Sequence, residues 1–180
     1  GELIAAAVDA GARRVFVGHG GSATTDGGLA ALRSLSPAAR LRGVELVAAV
    51  DVRTAFLDAA DVFGPQKGAT PSQVALLRRR LERLAQVYLD DHGIDVTVLE
   101  GAGAAGGLAG GLATVGASIV SGFELIADEL DLAAAVEQAD LVVTGEGFVD
   151  EASFQGKVVG GIAALAALAS ASAIAGKPET

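Results

Sequence analysis

Hydrophobic positions along the chain follow two different periods. Short apolar runs of strand length occupy residues 14–17, 44–50, 95–99 and 141–143, and 172–176 resembles a fifth. Between them, apolar residues recur every three or four positions, which predicts helices at 2–10, 26–35, 71–91, 108–113, 123–130, 132–138 and 158–169. Alternating strands and helices are typical of an α/β fold, with a layered, mostly parallel sheet flanked by helices.

The helix predicted at 71–91 has the strongest signals. Thr70 can cap it, and Pro71 takes the first helical position. Its apolar stripe consists of Val74, Leu77, Leu81, Leu84 and Tyr88. The arginines lie mostly off that stripe, at Arg78, Arg79, Arg80 and Arg83. They indicate a solvated helix face, with a phosphate-binding patch as the alternative.

Four glycine-rich segments punctuate the chain. They are GGSATTDGG at 20–28, VFGPQKGA at 62–69, GAGAAGG at 101–107 and TGEGFVDEASFQGK at 144–157. The first, third and fourth follow predicted strands, and ligands of parallel sheets collect at the carboxyl ends of strands. Backbone amides freed in such loops can surround an anion. We therefore expect one shared site for a phosphorylated ligand.

Composition narrows the function classes. A chain of 180 residues fits one domain or a little more, and a net charge of -9 argues against nucleic acids and anionic membranes as partners. The chain has no cysteine, which excludes disulfides and thiolate metal sites and is compatible with the cytoplasm, where we expect the protein. No long apolar run or signal peptide is visible. Because there is no methionine, we expect a piece of a longer protein; the alternative is a complete chain that lost its initiator.

The first glycine loop carries hydroxyls and one acid. Ser22, Thr24 and Thr25 suit phosphate oxygens, and Asp26 could hold Mg²⁺ or accept a substrate proton. The alternative is that Asp26 or Thr25 caps the next helix.

Two further candidates stand outside that loop. Asp51 ends the strand predicted at 44–50, where a carboxylate suits catalysis or metal binding, although a turn-forming Asp is as well supported. Lys67 lies between glycines and could bind phosphate as a point charge, or be a solvated loop lysine.

The third segment formally matches a dinucleotide-binding fingerprint through Gly101, Gly103 and Gly106. Glu124 or Asp128 would then bind the ribose. Two features oppose this interpretation: Gly110 and Gly111 weaken the following helix, and the acid falls on a predicted helix rather than at the end of a strand.

The fourth segment combines Glu146, Asp150 and Lys157, a set of charges that suits a metal and a phosphate. It is not a Walker A motif, because Glu151 and Val158 replace required residues. His19 and His92 are too few for a histidine metal site; His19, in the first loop, is a weak functional candidate.

In this order, the four segments resemble the glycerate kinase family, of the bacterial type with the GGSAT-N/T-DGG loop. The resemblance runs from residue 1 to about 176 and covers the central half of the usual family length. It implies Mg²⁺-dependent transfer of the γ-phosphoryl group of ATP to D-glycerate, in a cleft between two α/β domains. Residues 1–180 would form the central domain, with about 158–180 returning to a second, incomplete one.

The resemblance also implies roles for individual residues. Those that match the family's motifs are Ser22, Thr24, Asp26, Asp51, Lys67, Glu146, Asp150 and Lys157. Lys67 and Lys157 would bind phosphate or the glycerate carboxylate. Asp51, Glu146 and Asp150 would hold Mg²⁺ or take the hydroxyl proton, and Asp26 is a further catalytic candidate. The nucleotide would contact Gly20, Gly21, Ser22, Thr24, Gly101, Gly103, Gly106, Gly145 and Glu146.

Some positions depart from the family pattern. His19 stands where an aliphatic residue is frequent, Phe148 where Arg is common, and Ala55 and Ala152 also differ. A phenylalanine cannot bind an anion as arginine does. The alternative is therefore a relative that binds a nucleotide or hydroxy acid without turnover. With half the cleft missing, this part alone is expected to be inactive, and a homo-oligomer is left open.

Overall fold

The computed structural model describes residues 1–145, 158–168 and, by backbone alone, 172–176. It divides into two compact units, Gly1–Val120 and Ser121–Thr180. Each alternates strands with helices, as the hydrophobic pattern predicts. The assignment of the whole chain to one central domain stays a prediction.

The first unit is built around a small sheet. Its helices are α1 (Glu2–Asp9), α2 (Leu29–Leu35), α3 (Ala59–Phe63), α4 (Pro71–His92) and α5 (Ala104–Ala113). Short 3-10 turns lie at Ala38–Leu41 and Pro65–Lys67, and the strands are β1 (Arg14–Gly18), β2 (Glu45–Val50) and, at the unit boundary, β3 (Ser118–Ser121).

The strand order is β1-β2-β3, so β2 is central. β1 and β2 pair in parallel, from Arg14 opposite Glu45 to Gly18 opposite Ala49. Their carboxyl ends therefore meet at one edge, which confirms the predicted parallel arrangement. Sequence reasoning missed β3, a four-residue strand with a serine at each end.

The second unit continues the alternation. Its elements are α6 (Gly122–Glu129), α7 (Leu132–Glu137), β4 (Leu141–Gly145), α8 (Val158–Leu168) and β5 (Ser172–Gly176). β4 and β5 pair in parallel. The predicted strand at 172–176 is thus confirmed.

Helix α4 forms much of the core of the first unit. Thr70 and Gln73 make a capping box at its start, which satisfies two backbone donors. Leu81 and Tyr88 are almost fully buried, and Leu77 and Leu84 pack against the same cluster. The predicted stripe is confirmed.

The arginines of α4 lie on its outer side. Arg78 pairs with Asp61 at 2.5 Å and with Asp58 at 3.7 Å, which ties α4 to the α3 segment. Arg79 and Arg80 are exposed. These arginines therefore lie at the surface, as the predicted solvated face requires, and the phosphate-binding alternative stays untested. Exposed ion pairs of this kind stabilise a fold only slightly.

The prediction of a strand at 95–99 is wrong, because this segment forms a turn. The carboxylate of Asp95 accepts hydrogen bonds from the backbone N–H of Thr97 at 2.9 Å and from its hydroxyl at 2.5 Å. This local turn bends the chain, as Asp often does. Val96 is then fully buried, whereas Val98 is 75% exposed. An apolar run long enough for a strand therefore forms a turn in which Val96 alone is fully buried.

Helix α2 begins three residues later than predicted. Gly27 and Gly28 have φ of +64° and +81°, which a right-handed helix does not accommodate. In the described residues, no helix has the length and apolar character needed to cross a membrane.

Candidate functional site

The first glycine loop leaves the sheet beside the end of β2. His19, directly before the loop, donates its backbone N–H to the carbonyl of Ala49 at 3.0 Å, which extends the pairing of β1 with β2 by one bond. Asp51 follows β2 directly and is exposed. Parallel pairing thus places the start of the loop and Asp51 at the same edge of the sheet.

A polar pocket of about 480 Å³ lies at this edge. It is lined by His19, Gly20, Gly21, Ser22, Asp51, Val52, Phe63, Gln66, Lys67 and Ala105. Five predicted site residues from three separate segments therefore converge on one cavity: Gly20, Gly21, Ser22, Asp51 and Lys67. Phe63 and Gln66 were not singled out individually, although they belong to the second glycine segment.

Lys67 is bound to the first loop. Its Nζ donates to the carbonyl of Thr24 at 2.5 Å and lies 3.5 Å from Thr25 Oγ1. The ammonium also lies 5.8 Å from the centre of the Phe63 ring. Lys67 is thus hydrogen-bonded to the first loop while still partly exposed, and its phosphate-binding role stays a prediction. An ammonium has three donors, so one remains for a ligand in the pocket.

The environment of Lys67 also affects its protonation. Burial lowers the pKa of Lys67, and the nearby carboxylate of Asp26 acts in the opposite direction. Desolvation disfavours a charged ammonium that has no counter-charge. An anionic ligand in the pocket would therefore supply the partly desolvated ammonium of Lys67 with an opposite charge.

Asp26 has a structural role. Its two carboxylate oxygens accept the backbone N–H groups of Gly28 at 3.2 Å and Ala30 at 3.0 Å. These bonds satisfy free donors at the start of α2, as the capping alternative predicted. With Thr24 and Thr25, Asp26 lines a second, mainly apolar pocket of about 670 Å³. Its catalytic role stays a prediction.

The third glycine segment packs against backbone. A Cβ added to Gly106 would lie 2.1 Å from the carbonyl oxygen of Thr24, and one added to Gly103 would lie 2.3 Å from that of Ala55. Both glycines are buried. Gly106 therefore packs against the first loop and Gly103 against the segment after β2. Nucleotide binding by Gly101, Gly103 and Gly106 stays a prediction.

The dinucleotide interpretation loses its structural context. The fingerprint needs a strand directly before its first glycine, and the segment before Gly101 is a turn. Ala105, Gly106 and Gly107 are also left-handed inside α5, with φ of 53°, 70° and 90°. A regular helix therefore does not start at the fingerprint.

A buried tyrosine holds the first loop in place, and sequence reasoning saw it only as part of an apolar stripe. Tyr88 Oη donates to the carbonyl of Gly27 at 2.8 Å, and Gly27 donates its N–H to the carbonyl of Gly106 at 3.0 Å. Burial raises the pKa of Tyr88 far above its ordinary value, so the hydroxyl remains a donor. The available signal was that a buried tyrosine hydroxyl usually needs a partner.

The pocket residues are suited to Mg²⁺. Asp51 supplies a carboxylate and Ser22 a hydroxyl, which are hard oxygen ligands. Within the described ranges, no group of three or more His, Asp or Glu side chains could enclose a metal. Mg²⁺ commonly uses only one or two carboxylates, with waters and phosphates completing its shell.

The remaining predicted residues lie elsewhere. Gly145 ends β4 in the second unit. Glu146, Asp150 and Lys157, together with Phe148 and Ala152, lie outside the described residues. Their assigned roles stay predictions.

Comparison with known proteins gives consistent matches. The model of the glycerate kinase family matches residues 1–39 and 35–179. An uncharacterised protein of Mycobacterium bovis is 49% identical over 173 residues, covering 92% of this chain and 45% of its own length. The glycerate kinase of Bacillus subtilis is 36% identical over 195 residues, covering 91% of this chain and 51% of its own.

A solved structure shares the fold as well. The crystal structure from Salmonella typhimurium LT2 assigned as a glycerate kinase 2 superposes with a TM-score of 0.81 at 35% identity. The match covers 97% of this chain and 55% of that one. The chain thus spans about half the length of the relatives it matches.

Proposed function

This chain belongs to the glycerate kinase family, and on that premise we propose that it supplies the phosphate-binding part of a phosphotransferase. The enzyme transfers the γ-phosphoryl group of ATP to a hydroxyl of D-glycerate and uses Mg²⁺. The observation that carries the proposal is the polar pocket, where Lys67, Asp51 and the first glycine loop converge.

Each part of the pocket has a task in this reaction. Phosphoryl transfer requires mainly positioning and neutralisation of charge. The open loop at Gly20 and Gly21 lets phosphate oxygens approach the backbone, and Lys67 offers its remaining donor. Asp51, with Ser22, would hold Mg²⁺, which supplies positive charge to the phosphates when bound. Glu146, Asp150 and Lys157 belong to the same proposal through the family resemblance.

The first test is ADP release from Mg-ATP with and without D-glycerate, in the whole gene product that carries this sequence. We expect release that depends on glycerate. If Mg-ATP binds to the folded protein and glycerate has no effect, the kinase proposal fails and the non-catalytic alternative is preferred.

The second test removes the central charge of the pocket. Lys67→Gln should lower kcat/KM by about 100-fold or more, because it deletes a donor aimed at developing charge. Arg79→Gln is the matched control: it removes the same charge from an exposed position on α4 and should leave kcat/KM within about twofold. Equal effects of both variants would indicate a general influence of charge and contradict the role of Lys67.

A further inference from the structure

His19 is a buried polar residue at the edge of the polar pocket. His19 is only 7% exposed, and it is one of the residues that line the cavity, beside Gly20, Ser22 and Asp51. Its backbone is held by the hydrogen bond to Ala49. Nothing in the proposed transfer of the phosphoryl group uses this ring.

One ring nitrogen has a partner in the protein. His19 Nδ1 lies 2.7 Å from the carbonyl oxygen of Val17. A carbonyl can only accept, so Nδ1 carries a proton and donates it. Burial also lowers the pKa of His19, which favours the neutral ring. In that neutral tautomer, Nε2 has a lone pair and no proton.

The other ring nitrogen lacks a partner. Nε2 is buried and makes no hydrogen bond with the described part of the chain. Leaving a buried acceptor unpaired is unfavourable, so such a group in a native protein calls for an explanation, such as a bound water, an ion or a ligand. Because Nδ1 is directed at Val17, Nε2 is the remaining polar atom of the ring, and His19 is one of the residues that line the pocket.

We propose that His19 Nε2 accepts a hydrogen bond from a ligand hydroxyl in this pocket, and that the hydroxy-acid substrate supplies that hydroxyl. The inference rests on the proposed function, which it extends to substrate selection. His19 is then a residue that recognises the alcohol end of the substrate, whereas Lys67 and the loop amides recognise anionic groups.

The chemistry of the lone pair limits what can bind there. Carboxylate and phosphate oxygens are acceptors, so Nε2 would repel them. A hydroxyl can donate, and a hydroxy acid ionised at neutral pH has no other strong donor. The ribose hydroxyls of a nucleotide share this chemistry, so the experiment must separate the two sources.

Three substitutions distinguish the role of Nδ1 from that of Nε2. His19→Asn retains a donor near the Nδ1 position and loses the acceptor at Nε2, His19→Gln reaches the Nε2 position with an amide, and His19→Leu loses both. In the whole gene product, we expect Asn and Leu to raise KM for D-glycerate at least about tenfold, with KM for Mg-ATP unchanged. Gln should recover most of the loss. Circular dichroism and thermal melting identify any variant that fails to fold.

A second measurement needs only the unaltered protein and does not depend on turnover. Binding of D-glycerate, lactate, 3-hydroxypropionate and propionate is measured in the presence of Mg-ADP. Propionate, which lacks a hydroxyl, should bind at least about tenfold more weakly than the better monohydroxy acid. In His19→Asn this discrimination should disappear.

The outcomes distinguish this inference from the kinase proposal. If the protein shows no turnover but its discrimination for the hydroxyl depends on His19, the inference stands and the kinase proposal fails. If glycerate is phosphorylated and discrimination is the same in His19→Asn, the inference is wrong. The His19 substitutions could instead weaken only Mg-ATP binding, with no such effect on 2′- or 3′-deoxy-ATP. That result would assign the hydroxyl to ribose and overturn the substrate assignment. Absence of any acid binding would also overturn it.

Discussion

The first and third glycine segments have similar compositions and different surroundings. At Gly20 and Gly21, an added Cβ would meet open space beside the polar pocket. At Gly103 and Gly106, it would collide with backbone carbonyls. In the first segment glycine leaves room for a ligand, and in the third it leaves room for the protein itself. A glycine-rich motif therefore does not by itself identify a binding loop.

The largest expected effect comes from filling the third segment. Gly106→Ala should lower the free energy of unfolding by about 2–5 kcal/mol, because it combines a left-handed backbone with a clash against Thr24. Urea unfolding of this chain measures the loss. Gly21→Ala is the control, since φ is +59° there but the space is open; it should cost only about 1–2 kcal/mol. Equal losses would show that the close contact has no importance.

The next effect tests the link between the two segments. Tyr88→Phe removes the hydroxyl that donates to the carbonyl of Gly27. This buried carbonyl then loses that hydrogen bond, so we expect the free energy of unfolding to fall by about 1–3 kcal/mol. The phenyl ring retains the edge contact with Phe56. Amide hydrogen exchange should also become faster at Gly27. Unchanged stability and exchange would mean that the hydroxyl does not hold the loop.

A smaller effect concerns pH at the start of the first loop. Burial lowers the pKa of His19 in the folded protein. Once the pH falls below the ordinary pKa of histidine, His19 therefore binds a proton on unfolding. The free energy of unfolding should therefore fall as pH drops from 7.5 to 5.5. His19→Asn should lose less over that interval, as judged by urea unfolding at several pH values. If both proteins lose the same amount, His19 is not responsible for any of this dependence.

The smallest effect on stability should follow a change at the open loop. Gly20→Ala places a methyl group in open space, so unfolding should change by less than about 0.5 kcal/mol. Binding of Mg-ATP by the whole gene product should nevertheless weaken, because the methyl group occupies the approach of the phosphates. Unchanged binding would argue that the ligand does not approach this part of the loop.

Much of the fold follows from local patterns. The stripe of α4 and the capping box at Thr70 and Gln73 depend on residues close in sequence, so they were predictable. The segment 95–99 was not, because the side chain of Asp95 competes with the strand for backbone groups. Hydrophobicity alone does not register that competition.

The candidate site was predictable in its parts and not in its arrangement. Asp51 and Lys67 stood out by charge and by neighbouring glycines. Sequence offered capping of α2 as one of two roles for Asp26, and this bond is local. Sequence could not show that Lys67 binds the carbonyl of Thr24. The bond of Lys67 joins residues more than 40 positions apart, and no local pattern records such a contact.

By itself, the sequence determined the alternation of strands and helices, the family and the residue types available for phosphate and Mg²⁺. Periodicity and turn chemistry act over a few residues, so they can be read directly along the chain. Only the tertiary structure decided which glycines face the pocket and which face backbone. It also decided that His19 presents one nitrogen to Val17 and leaves the other unpaired. Burial and hydrogen-bond partners depend on neighbours brought together by folding, and composition contains no information about them.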